Sequence, residues 1–442
     1  MKHIIIGAGD AGAMAALWVR RSDEQADLDI FTKNEELGCP PCEMPLVLSR
    51  SVQRWEELYR GLRKSSFYEK RGMNLHLCTE VREILPKEKL VIAGGDTYPY
   101  DRLILALGSD PIIPPIPGLD GIREFTLSTD IGSAKRLDEA ISENTSCAIV
   151  GGGFLALEVA QALKARGYER IYMLVRRELM RSYLDPEMAQ VIRRVLTENG
   201  IELIMPAVIN SIKSSDGKKL IELSDRVLEA DFLFFGTGMR PNVELAGRAG
   251  LEIDAGGIRV NQHLQTSDPY IYAAGDCIEN WDLITGDKKS IQLATSAIRT
   301  GYIAGRNAAG GNRYRYIGSV MPFVTGVFGY QVGSVGYTER AGKGMSSVSV
   351  FVKTPKLRSV FNGKPAWYKL VAERGSRALI GAQVISQEIV SGTIDKLAIA
   401  IANRMPIDEL VQVDSCYSPH VQEDQIAVPL QRLVDMMGGE SG

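Results

Sequence analysis

The chain has 442 residues, 45% hydrophobic and 24% charged, with 44 glycines. This is the make-up of a soluble globular protein, not a disordered or fibrous one, and the length implies two or three domains of about 100–200 residues each. A formal charge of −3 and a pI near 6.0 leave no electrostatic footprint for nucleic acid, so the expected partners are small molecules or a second copy of the chain.

No apolar stretch approaches the ~18–20 residues of a membrane span. The opening MKHIIIGAG enters a glycine turn after three isoleucines, too soon for the core of a signal peptide, and a cytoplasmic location is expected.

Residues 3–12, HIIIGAGDAG, place an apolar strand directly before Gly7-Ala8-Gly9-Asp10-Ala11-Gly12, and AMAALWVRR continues with helical spacing. This is G-x-G-x-x-G between a strand and a helix, where glycines let backbone N–H groups and a helix N-terminus approach a pyrophosphate.

LGCPPCEMPL follows at 37–46, with Cys39 and Cys42 bracketing two prolines. Spacing alone allows a structural disulfide, a metal half-site or a redox-active thiol. Six scattered cysteines in a long cytosolic chain do not form a disulfide framework. A zinc site needs about four ligands, whereas Cys78, Cys147, Cys277 and Cys416 are unpaired and the four histidines isolated. No metal is expected, and redox chemistry is left in front. A helix starting near Pro45 is expected to stabilise a Cys42 thiolate through its N-terminal dipole.

Residues 101–118, DRLILALGSDPIIPPIPG, form a buried strand ending in a turn at Gly108. Residues 147–166, CAIVGGGFLALEVAQALKAR, then repeat the strand, turn and helix, with Gly151, Gly152 and Gly153 and with Ala156 as the third small residue. Two such units imply two dinucleotides. Further strands end at Gly238, in ADFLFFGTGMRPN, and at Gly275-Asp276, in TSDPYIYAAGDC. From residue 316 the pattern changes to antiparallel strands and the helical DKLAIAIANRM.

In this order the motifs resemble the pyridine nucleotide-disulfide oxidoreductases, over nearly the whole length. The resemblance implies an α/β chain with two dinucleotide-binding, Rossmann-like domains, the second inserted in the first, and a C-terminal α+β dimerisation domain. The boundaries are placed at 1–112 with 243–315 for FAD, 113–242 for NAD(P), and 316–442 for the interface domain of a homodimer.

The first turn would then hold FAD and the second NADH or NADPH. Asp276 would bond the ribityl or phosphate region of the flavin, and Glu158, Leu293 and Ala294 would complete the cofactor contacts. The strand that should end in an acid for the FAD ribose offers Thr32 and Lys33, with Glu35 and Glu36 further on. Arg176 and Arg177 stand where NAD-preferring members carry an acid, which favours a 2′-phosphate; Glu178 could still serve NADH. Phe154 takes the place of a tyrosine that covers the flavin until nicotinamide arrives.

Cys42-Glu43-Met44-Pro45 resembles the single-cysteine branch, which comprises coenzyme A-disulfide reductases, persulfide and polysulfide reductases and NAD(P)H oxidases. Cys42 is thus the expected reactive sulfur, and Cys39 either resolves its mixed disulfide or packs in the core. DSCYSPHVQEDQ at 414–425 matches a C-terminal stretch that reaches the other subunit's cysteine, with Tyr417 as proton donor and His420 as either a second titrating group or a solvated loop residue. Phe361 falls where a second family tyrosine is expected, which counts against strict coenzyme A-disulfide reductase activity. Arg20 and Arg21 could meet coenzyme A phosphates or simply complement a helix C-terminus.

The expected function is reduction of a disulfide, persulfide or polysulfide, with coenzyme A as a candidate thiol carrier. The alternatives are an NAD(P)H oxidase or a redox-sensing flavoprotein without turnover.

Overall fold

In the computed structural model, residues 1–119, 124–355, 357, 359–418 and 426–438 are described. The first sheet is parallel and runs Ile271–Ala273, Arg102–Leu105, Lys2–Ile6, Asp27–Phe31, Asn74–His76. Its central strands carry apolar runs that share one core with helices Asp10–Ser22 and Ala294–Gly310 and with the antiparallel strands Val81–Leu85 and Leu90–Ala93; Ile4, Ile5, Leu28, Ile30, Leu103 and Ile104 are all fully buried.

A second parallel sheet runs Glu202–Ile204, Arg170–Leu174, Ser146–Val150, Phe232–Phe235, Glu124–Phe125. It lies wholly between strands Arg102–Leu105 and Ile271–Ala273 of the first sheet in chain order, which makes it an insertion, as the family resemblance implied. An antiparallel ribbon, Ser109–Pro111 with Met239–Pro241, brings the two connecting passages together.

The third layer is antiparallel throughout, in the order Phe323–Val327, Tyr330–Gly336, Leu379–Ser386, Pro365–Glu373, Ser347–Pro355. Helix Ser391–Ala402 packs on it. Among the described residues no helix is long and apolar enough to cross a membrane.

Two packing features position the site. Helix Ala294–Gly310 lies against helix Asp10–Ser22, and a Cβ on Gly301 or Gly305 would stand 2.3 or 2.5 Å from the carbonyl oxygens of Ala11 or Ala15. Only glycine permits that approach.

The second feature is a polar seam between the inserted domain and the C-terminal sheet. Asp185 and Gln383 exchange two hydrogen bonds, at 2.8 and 2.7 Å. Lys369, only 4% exposed, pairs with Glu187 and Glu339. A buried ammonium without such partners would be strongly unfavourable, so this seam fixes one orientation of the two units.

Candidate active site

The first glycine turn is forced by contact. Gly7 has φ +106°, and a Cβ there would lie 2.0 Å from the Ala106 carbonyl oxygen. Gly9, by contrast, faces open space and precedes helix Asp10–Ser22, whose N-terminus has no side-chain cap. Uncapped N–H groups beside an open glycine are suited to a pyrophosphate.

Nearby, helix Ala294–Gly310 also begins without a side-chain cap, at Leu293. Gly275 donates its N–H to the Thr300 hydroxyl at 3.0 Å and so fixes Asp276 beside that helix. Burial raises the Asp276 carboxyl to about 6, and its hydrogen-bond partner among the described residues is the Ser109 hydroxyl at 3.0 Å.

Thr32 is buried, and its hydroxyl accepts the Asn34 N–H at 3.3 Å. Lys33 and Asn34 line an open cleft of about 630 Å³ with Cys78, Glu80, Arg82, Gly94 and Gly95. Glu36 is already engaged by Lys135 at 2.7 Å and by the Tyr59 hydroxyl. These residues fit FAD: an uncapped helix for its pyrophosphate, a buried carboxyl for hydroxyls, and a cleft beyond Thr32 for the adenosine end.

The second turn repeats the arrangement. Gly153 opens onto free space before helix Phe154–Ala165, again uncapped, and Gly151 sits at φ +132°. The Phe154 ring lies 6.0 and 5.9 Å from those of Tyr183 and Phe323. Arg176 and Arg177 are exposed just past strand Arg170–Leu174, with no hydrogen bond or ion pair among the described residues. Gly108 and Gly238, both at positive φ, flank the connecting ribbon; their carbonyls accept the N–H groups of Asn242 and Ile112 at 3.0 and 2.9 Å. The uncapped N-terminus and the open Gly153 fit a second dinucleotide.

Between the two turns stands Cys42. Pro40 and Glu43 close a turn through a 3.0 Å bond, which presents Cys42 to solvent. Cys39 takes the opposite side: it is 1% exposed among Met44, Val47 and Leu48, its N–H donates to the Thr129 carbonyl at 3.1 Å, and burial pushes its thiol up to about 12. This environment is that of a packing residue.

The expected dipole-stabilised thiolate is corrected by the structure. Helix Met44–Leu48 has only five residues, too few aligned peptides for a sizeable dipole. Cys42 opens to solvent on one side, yet the surrounding protein makes burial the leading cause that raises its thiol to about 11, followed by the charges of Glu158, Glu43 and Asp10. Three carboxylates oppose a thiolate here.

Sequence reasoning missed the cation in this cluster. Arg63, on the short turn Gly61–Arg63, bonds Glu43 at 2.6 Å and Asp10 at 3.4 Å. No local pattern marks it, since its partners lie 20 and 53 residues away. Burial still raises Asp10, outweighing Arg63.

Glu158 is also placed by tertiary contacts. One oxygen accepts the Thr325 hydroxyl, the other is buried without a partner, and burial raises the carboxyl to about 7.

Tyr417 is 61% exposed in the C-terminal domain, and His420 lies outside the described residues. Arg20 is committed to its own chain, donating to the Glu24 and Gly72 carbonyls at 2.6 and 2.8 Å, while Arg21 stacks on Trp18.

Comparison with known proteins matches this geometry to a family. Residues 1–301 fit the model of the pyridine nucleotide-disulphide oxidoreductases, and residues 323–426 fit the dimerisation domain of the same family. The chain is 31% identical to an NADH oxidase of Methanocaldococcus jannaschii over 95% of both proteins. It is also 31% identical to a coenzyme A-dependent NAD(P)H sulfur oxidoreductase of Pyrococcus abyssi over 94% of both. The structure of an NAD-dependent persulfide reductase from A. fulgidus superposes with a TM-score of 0.95 at 29% identity, covering 99% of this chain and 84% of that one. This chain belongs to the pyridine nucleotide-disulphide oxidoreductase family.

Proposed function

We propose that the protein is a cytoplasmic, homodimeric flavoenzyme that takes electrons from NAD(P)H and delivers them through Cys42 to a disulfide, persulfide or polysulfide, including coenzyme A-linked ones. The observation that carries this reading is the exposed Cys42 between two uncapped dinucleotide-binding helices. FAD, when bound, supplies the two-electron link between nicotinamide and sulfur.

Gly9 with helix Asp10–Ser22 and Gly153 with helix Phe154–Ala165 would bind the two pyrophosphates. Phe154, braced by Tyr183 and Phe323, would shield the site from water. Cys42 as thiolate attacks one sulfur of the acceptor, forming a mixed disulfide and releasing the other sulfur as a thiolate; two electrons and one proton then return Cys42 to thiolate and free the second thiol. Tyr417 of the second copy would hold that proton at its hydroxyl. Ile389 and Ile399, 67% and 65% exposed on the C-terminal domain, support pairing with another copy.

Delivery of electrons to oxygen is the second reading, favoured by the three carboxylates that oppose a thiolate at Cys42. An anaerobic titration of the FAD-loaded protein separates the two. NADPH or NADH should reduce the flavin in wild type and in Cys42→Ser alike, and wild type alone should then be reoxidised by a sulfur acceptor. Rapid reoxidation by oxygen, with none by any disulfide, persulfide or polysulfide, would transfer the assignment to the oxidase.

A further inference from the structure

We propose that Arg340, a residue of the C-terminal domain, sets the preference between the two nicotinamide dinucleotides by holding Glu178 away from Arg176 and Arg177. The inference rests on the reading that Arg176, at the end of strand Arg170–Leu174, meets the 2′-position of the adenosine ribose.

The segment past that strand carries three arginines, Arg176, Arg177 and Arg181, and one acid, Glu178. Glu178 is the local group able to cancel the positive charge, or to accept a bond from a free ribose hydroxyl. One of its two oxygens is drawn to the C-terminal domain instead. Its Oε2 accepts the Arg340 Nη2 at 2.5 Å and lies a looser 3.9 Å from Arg181. Arg176 and Arg177 remain exposed without a partner among the described residues.

The Arg340–Glu178 pair is built into the fold, unlike a casual surface contact. The other terminal nitrogen of Arg340 is buried without a hydrogen-bond partner among the described residues, a cost that a freely rotating arginine would avoid by turning to water. Arg340 also follows Glu339, whose N–H donates to Asp185 at 2.9 Å and whose carboxylate is held by Lys369 and Ser349. On the opposite side, Tyr183 accepts the Ser334 hydroxyl at 2.8 Å. Both ends of the contact are thereby fixed across the domain seam.

A guanidinium cluster with its acid removed suits a dianionic 2′-phosphate, and a neutral ribose hydroxyl gains little from it. The C-terminal domain would thus act on nucleotide choice from outside the nucleotide domain. The effect is electrostatic between partly exposed groups, so it should be modest and should shrink as salt is raised.

The test is calorimetric binding of adenosine 2′,5′-bisphosphate and of 5′-AMP to FAD-loaded protein, which reads no turnover. Wild type should prefer the bisphosphate. Arg340→Ala should lower that preference about threefold, and Glu178→Gln in the Arg340→Ala background should restore it. Glu178→Gln alone should keep or raise the preference; a loss of 5′-AMP affinity in that variant would make Glu178 the ribose acceptor and overturn the proposal, even if Arg340→Ala fails to fold. Arg176→Glu separates the two layers. An unchanged preference there defeats the reading beneath the inference, whereas a collapse there with no response to Arg340→Ala defeats the role of Arg340.

Discussion

Glu158 accepts the Thr325 hydroxyl at 2.5 Å, a bond between residues 167 positions apart that ties the helix of the second glycine turn to the first strand of the C-terminal sheet. Its second oxygen is buried with no partner among the described residues. No cation among the described residues answers this carboxyl, and its raised value near 7 follows from burial.

That value makes a prediction about stability. A carboxyl raised from 4.5 to about 7 by folding leaves the native state holding more protons than the unfolded state between those values, so stability falls as pH rises through the window and the penalty is complete above it. It is on the order of 3 kcal/mol at most. Glu158→Gln keeps an acceptor for Thr325 but cannot ionise. Thermal midpoints at matched FAD saturation should therefore favour the variant at pH 8 and not at pH 5; a difference independent of pH would contradict the assignment.

Glu158 is also the leading charge that opposes ionisation of Cys42, after burial itself. Removing it should lower the thiol's titration point. Iodoacetamide should alkylate Cys42 several-fold faster in Glu158→Gln than in wild type at pH 8, measured by mass spectrometry of the labelled peptide, with about tenfold expected for each unit of lowering. Equal rates across pH 7–10 would show that Glu158 does not hold the thiol up.

If the site is completed between subunits, Tyr417 should serve the cysteine of the other copy. A Cys42→Ser homodimer and a substantially impaired Tyr417→Phe homodimer, mixed and exchanged under differential tags, would then assemble one intact site and one doubly defective site in each heterodimer. Activity should rise on exchange. With exchange confirmed by the tags, no rise above the parental average would place Tyr417 with the cysteine of its own chain.

Much of the frame was legible because its causes are local. An apolar strand, a glycine turn and a helix are neighbours in sequence, and the close approach at Gly7 and the open space at Gly9 and Gly153 are what those glycines are for. The family resemblance carried by those motifs then implied the inserted second sheet, and the changed pattern past residue 316 the antiparallel C-terminal layer, both of which the fold contains. The exposure of Cys42 and the burial of Cys39, three residues apart, were not legible, because a turn decides which faces outward.

By itself the sequence determined the two glycine turns, the cysteine between them and the paired arginines after the second nucleotide strand. Tertiary structure alone decided their electrostatics. Arg63 reaches Asp10 across 53 residues, Thr325 reaches Glu158 across 167, and Arg340 reaches Glu178 across 162. Charges and buried oxygens act over a few ångströms regardless of separation along the chain, so whether Cys42 ionises and whether Glu178 is free depend on which distant segments fold against them.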